Sequence, residues 1–549
     1  MSRLKPIVPY LLAILAGVLT ALPLNVNYTS IILNITVVPL LFAEHMVAHS
    51  NHKHKMLETA TLGFLFMYFY QWFSEYPLKL QFSYWMYLYF FGISLFFVLS
   101  FILFAFVKKK LGDKWGYVAF VCFYLCFEYF LLEMQIFFPV IMLGNSLVGL
   151  SGFGIHYMQW YEYTGVLGGT LWILVCNVLF FLLIRNKIEK QKARPALLFS
   201  ALATFVLPLA VSLIIFATYK EKKAPVEFVL VQPNYNPYTE KFTTPMNEQR
   251  DRMVNLAESA ITDHTDFVVF PETALDDNIW YNNMNEENVM VQYLRDSLLE
   301  KHEGLKLLSG VLMLQYFITS VPPSIDAIPA AENIFIQKYN AAALVKGESV
   351  EAYKKNILVP FSERMPFGSV FRFLKKYKKN EPGTFFFSFA EGEEQNVLKS
   401  AKANIGCFIC YESIFGAYCA GYAEKGADLL CTISNDGWWL KSNFTRTHLC
   451  ASRIRAIENR RSLVRCANTG ITAGIDQRGR IVAQAPWWEP TALKVTLNKN
   501  KTKTLYTQWG DYIGLISALF VLFIICLMIY KRITRTTSTN QPASRRITH

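Results

Sequence analysis

Eight long apolar stretches constrain this chain more than any other feature of its sequence. Seven precede residue 218, at roughly 7–24, 30–46, 57–74, 83–107, 116–140, 164–184 and 196–218, and an eighth lies near 511–530; a bilayer core about 30 Å thick takes about 20 apolar residues as a helix. They read as spanning helices, the second, interrupted by Asn34, being the weakest. Only 17% of the 549 residues are charged and 53% are apolar, whereas roughly a quarter are charged in a soluble protein. An ordinary secreted or cytosolic enzyme is excluded. Segment 7–24 has the basic flank of a signal peptide, but no small-x-small cleavage site follows it, so it reads as a retained first helix.

A net charge of +13 invites a nucleic-acid reading, and the placement of the charges argues against it. Arg3, Lys5, Lys53, Lys55, Lys108 to Lys110, Lys114, Arg185, Lys187, Lys190, Lys192, Arg194 and the tail residues Lys531, Arg532, Arg535, Arg545 and Arg546 fall in one alternate set of loops. The other short loops carry only Lys79. By the positive-inside rule both termini are expected in the cytoplasm and the block 219–510 across the membrane. The expected organisation is a seven-helix membrane domain over 1–218, an extramembrane domain over 219–510, an eighth span over 511–530 and a basic cytoplasmic tail over 531–549.

The block 219–510 is large enough to bury its own core. Short β-branched runs recur at Val226–Val231, Phe267–Phe270, Asn404–Tyr411, Asp428–Ser434, Ser462–Ala467 and Ile471–Asp476, with helix-like stretches at Asn247–Ile261, Val289–Lys301 and Arg446–Arg460. Such alternation predicts an α/β sheet layered with helices. Three places put a reactive side chain just past an apolar strand, where α/β folds place their sites. Glu272 follows Phe267-Val268-Val269-Phe270-Pro271, a fixed exit whose partial desolvation suits a carboxylate base; a helix-start acid fits that motif as well. Lys354 and Lys355 precede the apolar Ile357-Leu358-Val359-Pro360-Phe361; alone, either is equally a solvated charge. Cys410 ends the strand Asn404–Tyr411 where a helix follows, so helix-terminal N–H groups favour thiolate and stabilise an oxyanion. A buried inert thiol fits that segment too.

Together the three segments resemble the carbon–nitrogen hydrolase (nitrilase) superfamily, whose triad is Glu, Lys and Cys in that chain order. Thr432-Ile433-Ser434-Asn435-Asp436-Gly437-Trp438-Trp439, Arg455-Ala456-Ile457-Glu458-Asn459-Arg460 and Ala467-Asn468-Thr469-Gly470-Ile471-Thr472-Ala473 extend the likeness. With eight spans around the domain, the chain is similar to the membrane-bound, lipoprotein-acylating branch. Leu358-Val359-Pro360-Phe361-Ser362-Glu363 matches that branch's Leu-Val-Pro-Phe-Gly-Glu with Ser362 for Gly, and its lysine three residues before the leucine corresponds to Lys355. Gly437-Trp438-Trp439 stands where members often have Ala-Trp-Phe.

The resemblance implies an α-β-β-α sandwich beside a multi-pass helical membrane domain. It implies Glu272 as general base, Lys355 as oxyanion stabiliser helped by the N–H of Tyr411, and Cys410 as nucleophile, with Glu363 and Glu412 positioning the lysine and the loops. A thiol with a pKa near 8.5 needs such a base at neutral pH, and one lost oxyanion donor costs about 3–4 kcal/mol of barrier. The implied donor is a phospholipid. The implied acceptor is the α-amino group of the diacylglyceryl-cysteine at an apolipoprotein's N-terminus, in a ping-pong acyl transfer at a bacterial inner membrane, with the domain periplasmic. A membrane-tethered amidase or nitrilase with water as second acceptor is the alternative. No cofactor or metal is expected, and the chain is read as a monomer on a lipid bilayer with no nucleic-acid partner.

Aromatic residues mixed with basic ones mark interfacial elements. Phe367 and Phe371 in Pro366–Lys376, and Phe386 in Phe385–Phe389, read as lids on the outer leaflet, and Trp438 and Trp439 as similar anchors. Packing in the domain core is the other reading. Cys122, Cys126, Cys176 and Cys526 fall in expected spans as packing residues. Cys407, Cys410, Cys419, Cys431, Cys450 and Cys466 would face an oxidising compartment, where disulfides form. Glu44, His45, His49, His52 and His54 look like metal ligands, but at a helix end they read as a solvated loop.

Overall fold

Helix starts in the first part of the chain are set by proline, whose fixed φ suits a first turn and whose missing N–H has no partner there. In the computed structural model, which describes residues 6–74, 76–135, 139–192, 194–284, 288–360, 362–364 and 389–539, Pro9 opens α1 (Val8–Ala21). Pro39 opens α3 (Val38–Ala48) after the short α2 (Leu33–Thr36). Then come α4 (Lys55–Ser74), α5 (Tyr76–Leu111), α6 (Asp113–Met134), α7 (Leu143–Ser146) and α8 (Tyr161–Ile188), before Pro195 opens α9 (Pro195–Thr218). Gly112, at φ 84°, separates α5 from α6.

Among the described residues, six segments are long and apolar enough to cross a membrane: Ser30–Ala48, Tyr87–Leu111, Asp113–Met134, Tyr161–Ile188, Pro195–Thr218 and Tyr512–Lys531. Two of the eight expected spans fall outside that set. Val8–Leu24 is a shorter apolar helix, and α4 is diluted by Lys55, Glu58 and Gln71. The segment with Asn34 qualifies, and its break is repaired from a neighbour. Asn177 of α8 accepts from the N–H of Val37 at 2.7 Å and donates to the carbonyl of Leu33 at 2.7 Å. Backbone groups freed by a helix break in an apolar medium need such partners.

The extramembrane block contains β1 (Pro225–Gln232), α10 (Met246–Glu258), β2 (Phe267–Val269), β3 (Leu275–Trp280), α11 (Val289–Leu294), β4 (Lys306–Ile318), β5 (Ile328–Ala331), β6 (Ile334–Lys346) and β7 (Ser349–Lys354). It continues through β8 (Ile405–Ile409), α12 (Gly416–Glu424), β9 (Leu429–Ser434), α13 (Asn443–Asn459), β10 (Leu463–Ala467), β11 (Ala473–Ile475), β12 (Ile481–Gln484), β13 (Thr491–Asn498) and α14 (Leu505–Trp509), after which α15 (Tyr512–Thr539) carries the last of the apolar segments. One sheet has the order β13-β1-β2-β4-β6-β5, with β3 on β4 and β7 on β6; the other runs β12-β11-β10-β9-β8.

Alternation along the strands explains how the sheets stack. Val226, Phe228 and Leu230 of β1 meet Ile405, Cys407, Ile409, Cys431 and Cys466 of the second sheet in one buried layer. The alternate residues Val229 and Val231 pack with Met253, Val254 and Ala257 of α10 and with Met290 and Leu294 of α11. Helices α12 and α13 cover the second sheet, giving an α-β-β-α sandwich. The sequence reading names six of these strands and misses β3, the long meander β4 to β7, β12 and β13. In β4 and β6 the central residues are buried on both faces, so no period-two signal survives there. The stretch Val289–Lys301 is helical only to Leu294, then passes into a π turn over Arg295–Leu299.

Gly310 of β4 lies under the turn that carries Glu272: a Cβ there would stand 2.3 Å from the carbonyl oxygen of Pro271 and 2.7 Å from Cα of Glu272. Gly310→Ala is expected to cost about 1–3 kcal/mol, read as a lowered thermal midpoint of the detergent-solubilised protein. A midpoint equal to that of the wild type rejects this close packing.

Candidate active site

Strand ends deliver the three sequence-predicted reactive residues to one place. Past β2 the chain turns through Phe270 and Pro271 to Glu272, which is buried and is followed by Thr273 at φ 48°. One carboxylate oxygen accepts from Asn340 Nδ2 at 2.8 Å and from Lys355 Nζ at 3.3 Å; the other accepts from the N–H of Asn435 at 3.0 Å. Lys355 directly follows β7 and is fully buried. Its ammonium lies between Glu272 and Glu363, the latter at 2.9 Å. Burial alone would push the lysine's pKa down, but Glu363 and then Glu272 outweigh it and hold the pKa above the ordinary value. Lys354 turns to the opposite face of the strand, with Nζ 3.5 Å from the centre of the Tyr281 ring, and burial lowers it to about 8.

Cys410 begins a 3-10 turn (Cys410–Ile414) straight after β8, in the left-handed region at φ 52°. A non-glycine residue adopts that conformation only where its surroundings fix it. Burial pushes the thiol well above its usual pKa and the Glu272 charge adds to this, while Lys355 opposes it. The resting sulfur is therefore protonated, and a base is needed to activate it. Passing its proton to Glu272 would exchange a carboxylate for a thiolate beside the same ammonium, so the buried charge would be conserved.

Glu363 accepts from the N–H of Val359 at 2.8 Å as well as binding Lys355 and Asn340. Glu412 serves the loops: it accepts from the N–H groups of Ile409, Asn356 and Ile357 at 2.7, 2.8 and 3.1 Å, and from the Tyr353 hydroxyl at 2.5 Å. It ties the cysteine turn to the segment after Lys355. Tyr411 sets its ring edge-on to Phe415, with centroids 5.1 Å apart. Trp438 and Trp439 are half-buried at the end of the turn Asp436–Trp439. Trp438 meets Tyr238 edge-on at 5.3 Å and Trp439 meets Phe444 at 4.3 Å. Phe367, Phe371 and Phe386 lie outside the described residues.

Sequence reasoning missed Asn340, which joins Glu272 to Glu363. It sits in β6, a strand without an alternating signal, so nothing pointed to it. The site is continuous with the membrane helices. Tyr411, Ile414, Phe415, Ile357 and Phe444 belong to one apolar cluster with Phe90, Phe97, Tyr161 and other residues of the spanning segments. All ten cysteines are free thiols. The histidine-rich helix end distributes its side chains: Glu44 pairs with Lys108 at 2.5 Å, His45 with Glu189 at 2.8 Å and His52 with Glu58 at 2.9 Å.

A buried carboxylate, ammonium and thiol at the strand ends of an α-β-β-α sandwich define a class. The carbon-nitrogen hydrolase family model matches residues 230–506, half of the chain, and the chain belongs to that family. It is 28% identical over 438 residues to the apolipoprotein N-acyltransferase of Chlorobaculum tepidum, spanning 76% of this chain and 78% of that one. It is 30% identical over 321 residues to apolipoprotein N-acyltransferase 1 of Treponema denticola, spanning 55% and 57%. Among solved structures it resembles Saccharomyces cerevisiae Nit3, a nitrilase-superfamily member, at 18% identity and a TM-score of 0.37, over 51% of this chain and 93% of that one. The spanning helices, taken with these relatives, make it a multi-pass bacterial membrane protein.

Burial raises the pKa of Glu412 from 4.5 to about 6, against the lowering effect of its N–H partners. The fold thus favours its protonated form, so this group's contribution to stability is full below about pH 4.5 and is lost as the pH rises through about 6. Glu412→Gln places an NH₂ group among donors and is expected to cost about 1–3 kcal/mol. Thermal unfolding at pH 4.5 and pH 8 should show the deficit shrinking at the higher pH, because only the wild type titrates. A deficit that grows with pH overturns this assignment.

Proposed function

We propose that this chain moves an acyl chain from a membrane phospholipid, through a thioester on Cys410, to the α-amino group of the diacylglyceryl-cysteine at an apolipoprotein's N-terminus. Its relatives' names denote N-acyl transfer to apolipoproteins, which supports this reading. One observation carries the reading: the turn bearing Cys410 shares its apolar packing with the spanning helices. A lipid ester then reaches the sulfur without leaving the bilayer. A water-accepting amidase with the same residues leaves that shared packing without a purpose.

In the proposed chemistry Glu272 takes the thiol proton and the thiolate attacks the ester carbonyl. The oxyanion is stabilised by Lys355, aided by the N–H of Tyr411. Glu272 returns its proton to the departing lysophospholipid, leaving a thioester. The α-amine then attacks, Glu272 accepts its proton, and Cys410 leaves as thiolate. Asn340 and Glu363 keep the lysine aimed throughout, and their hydrogen bonds are made before substrate arrives, which is the basis of electrostatic preorganisation.

Residues 219–510 are proposed to lie on the periplasmic side of the inner membrane, with 1–218 and 511–530 as the membrane part and both termini, including the basic tail 531–549, in the cytoplasm. The one-sided placement of Lys and Arg supports this orientation. Trp438 and Trp439, half-buried at the rim, are proposed with Phe367, Phe371 and Phe386 as lipid-contacting lids.

Purified protein in phospholipid micelles without acceptor should gain one fatty-acyl mass that hydroxylamine removes, and Cys410→Ser should gain none. Lys355→Met should form the adduct about 10²–10³-fold more slowly, the usual loss for one oxyanion donor. A folded wild type that acquires no acyl mass from lipid rules the reading out.

A further inference from the structure

A second set of polar side chains reaches Cys410, and the chemistry above uses none of it. Ser434 ends β9, fully buried, one residue past Ile433, whose partner in β8 is Ile409, so it stands beside Cys410 across the parallel pair, and its hydroxyl acts to lower the thiol's pKa. The same hydroxyl donates to Asp436 Oδ1. Asp436 has two further donors: Arg465 Nη2 is 2.5 Å from Oδ2, and His448 Nδ1 is 3.0 Å from Oδ1. The other ring nitrogen of His448 lies 3.0 Å from the backbone carbonyl of Cys410 and 2.8 Å from Ser413 Oγ, which itself donates to that carbonyl at 2.8 Å. Ser413, Ser434, Asp436, His448 and Arg465 are all buried. This group therefore grips the main chain of the strained cysteine and sets a hydroxyl beside it.

The charges bear on what the hydroxyl can do. Burial would raise the pKa of Asp436, but Arg465 and then His448 overcome it and hold the carboxyl well below the usual range. Asp436 is therefore a poor base, and the thiol proton does not go to it. A hydroxyl has one hydrogen and rotates to suit its neighbours. While Cys410 is a thiol, that hydrogen lies on Asp436. When the sulfur is a thiolate it becomes the needier acceptor, and Asp436 keeps Arg465 and His448 if the hydroxyl turns away.

We propose that Ser434 is a further catalytic residue at Cys410: its hydroxyl turns from Asp436 to donate a hydrogen bond to the sulfur once the thiol proton has passed to Glu272. No covalent bond to Ser434 forms or breaks. The same donation stabilises the thiolate when it leaves the thioester, a second use that rests on the acyl-transfer reading. Asp436, His448 and Arg465 act as positioning residues, parking the hydroxyl and holding the Cys410 carbonyl at its left-handed turn.

The test needs no lipid. Full-length protein is treated with methyl methanethiosulfonate, a small thiolate-selective reagent, across pH 6–10, and modification of Cys410 is followed by peptide mass spectrometry. The charged groups facing the thiol are Glu272, Lys355 and Asp436, and all stay in place in the variants. Hydrogen bonding to a charged form favours it, so Ser434→Ala should shift the profile upward by about one pH unit, about tenfold slower modification at pH 7. Ser434→Thr should keep the wild-type profile. Ser434→Val, matched in volume to Thr but without the hydroxyl, should shift like Ala, separating the hydroxyl from packing. A profile for Ala and Val that coincides with the wild type, or a Thr profile as slow as that of Val, overturns the proposal. Acyl gain with an unshifted profile would sink this inference alone; a shifted profile without acyl gain would sink the acyl-transfer reading alone.

Discussion

A lysine ammonium buried between two carboxylates is the interaction on which the site depends. Lys355 has no exposed surface, and Glu272 and Glu363 hold it at 3.3 and 2.9 Å. Taking such an ion out of water is costly, and removing one partner from a buried set typically costs about 3–5 kcal/mol. The strands of the first sheet must therefore pair in one register, since Glu272 leaves β2, Lys355 leaves β7 and Asn340 sits on β6. Burial first, and then the charge of Glu272, keeps the neighbouring thiol protonated at rest.

Attachment to the membrane follows from a second constraint, the placement of the apolar surface around Cys410. The residues after the cysteine, Tyr411, Ile414 and Phe415, would be an exposed patch on an isolated domain, and here they complete the core of the helical bundle. Arg460, at the end of α13, donates to both carboxylate oxygens of Glu162 at 3.0 Å and to Gln159 at 2.8 and 2.9 Å, joining α13 to the start of α8. Polar bonds of this kind fix the angle of approach while the apolar contacts supply the stability. The reactive strand ends thus meet the helices at a fixed height and orientation.

Much of the organisation was legible in the sequence because it rests on one-dimensional signals. Runs of apolar residues gave most of the spanning helices, although α4, broken by Glu58 and Gln71, is less apolar than its length suggested. The strands before Glu272 and Cys410 were visible as short β-branched runs, so both residues could be placed at strand ends. Lys354 and Lys355 could not be separated from the residues alone. The structure separates them by the alternation of β7, which buries Lys355 between carboxylates and sends Lys354 to Tyr281.

What the sequence by itself determined was the division into apolar helices and an α/β block, the order of the carboxylate, lysine and cysteine, and the strand endings that expose them. These depend on local composition and periodicity, which a linear chain displays. Only the tertiary structure decided that Asn340 bridges two carboxylates 68 and 23 residues away in sequence, that Ser434 and Asp436 lie behind the sulfur, and that Glu412 ties one loop to another. Each of those roles comes from strands brought side by side across long stretches of chain. A hydrogen-bond partner chosen by sheet register leaves no periodic trace in the sequence.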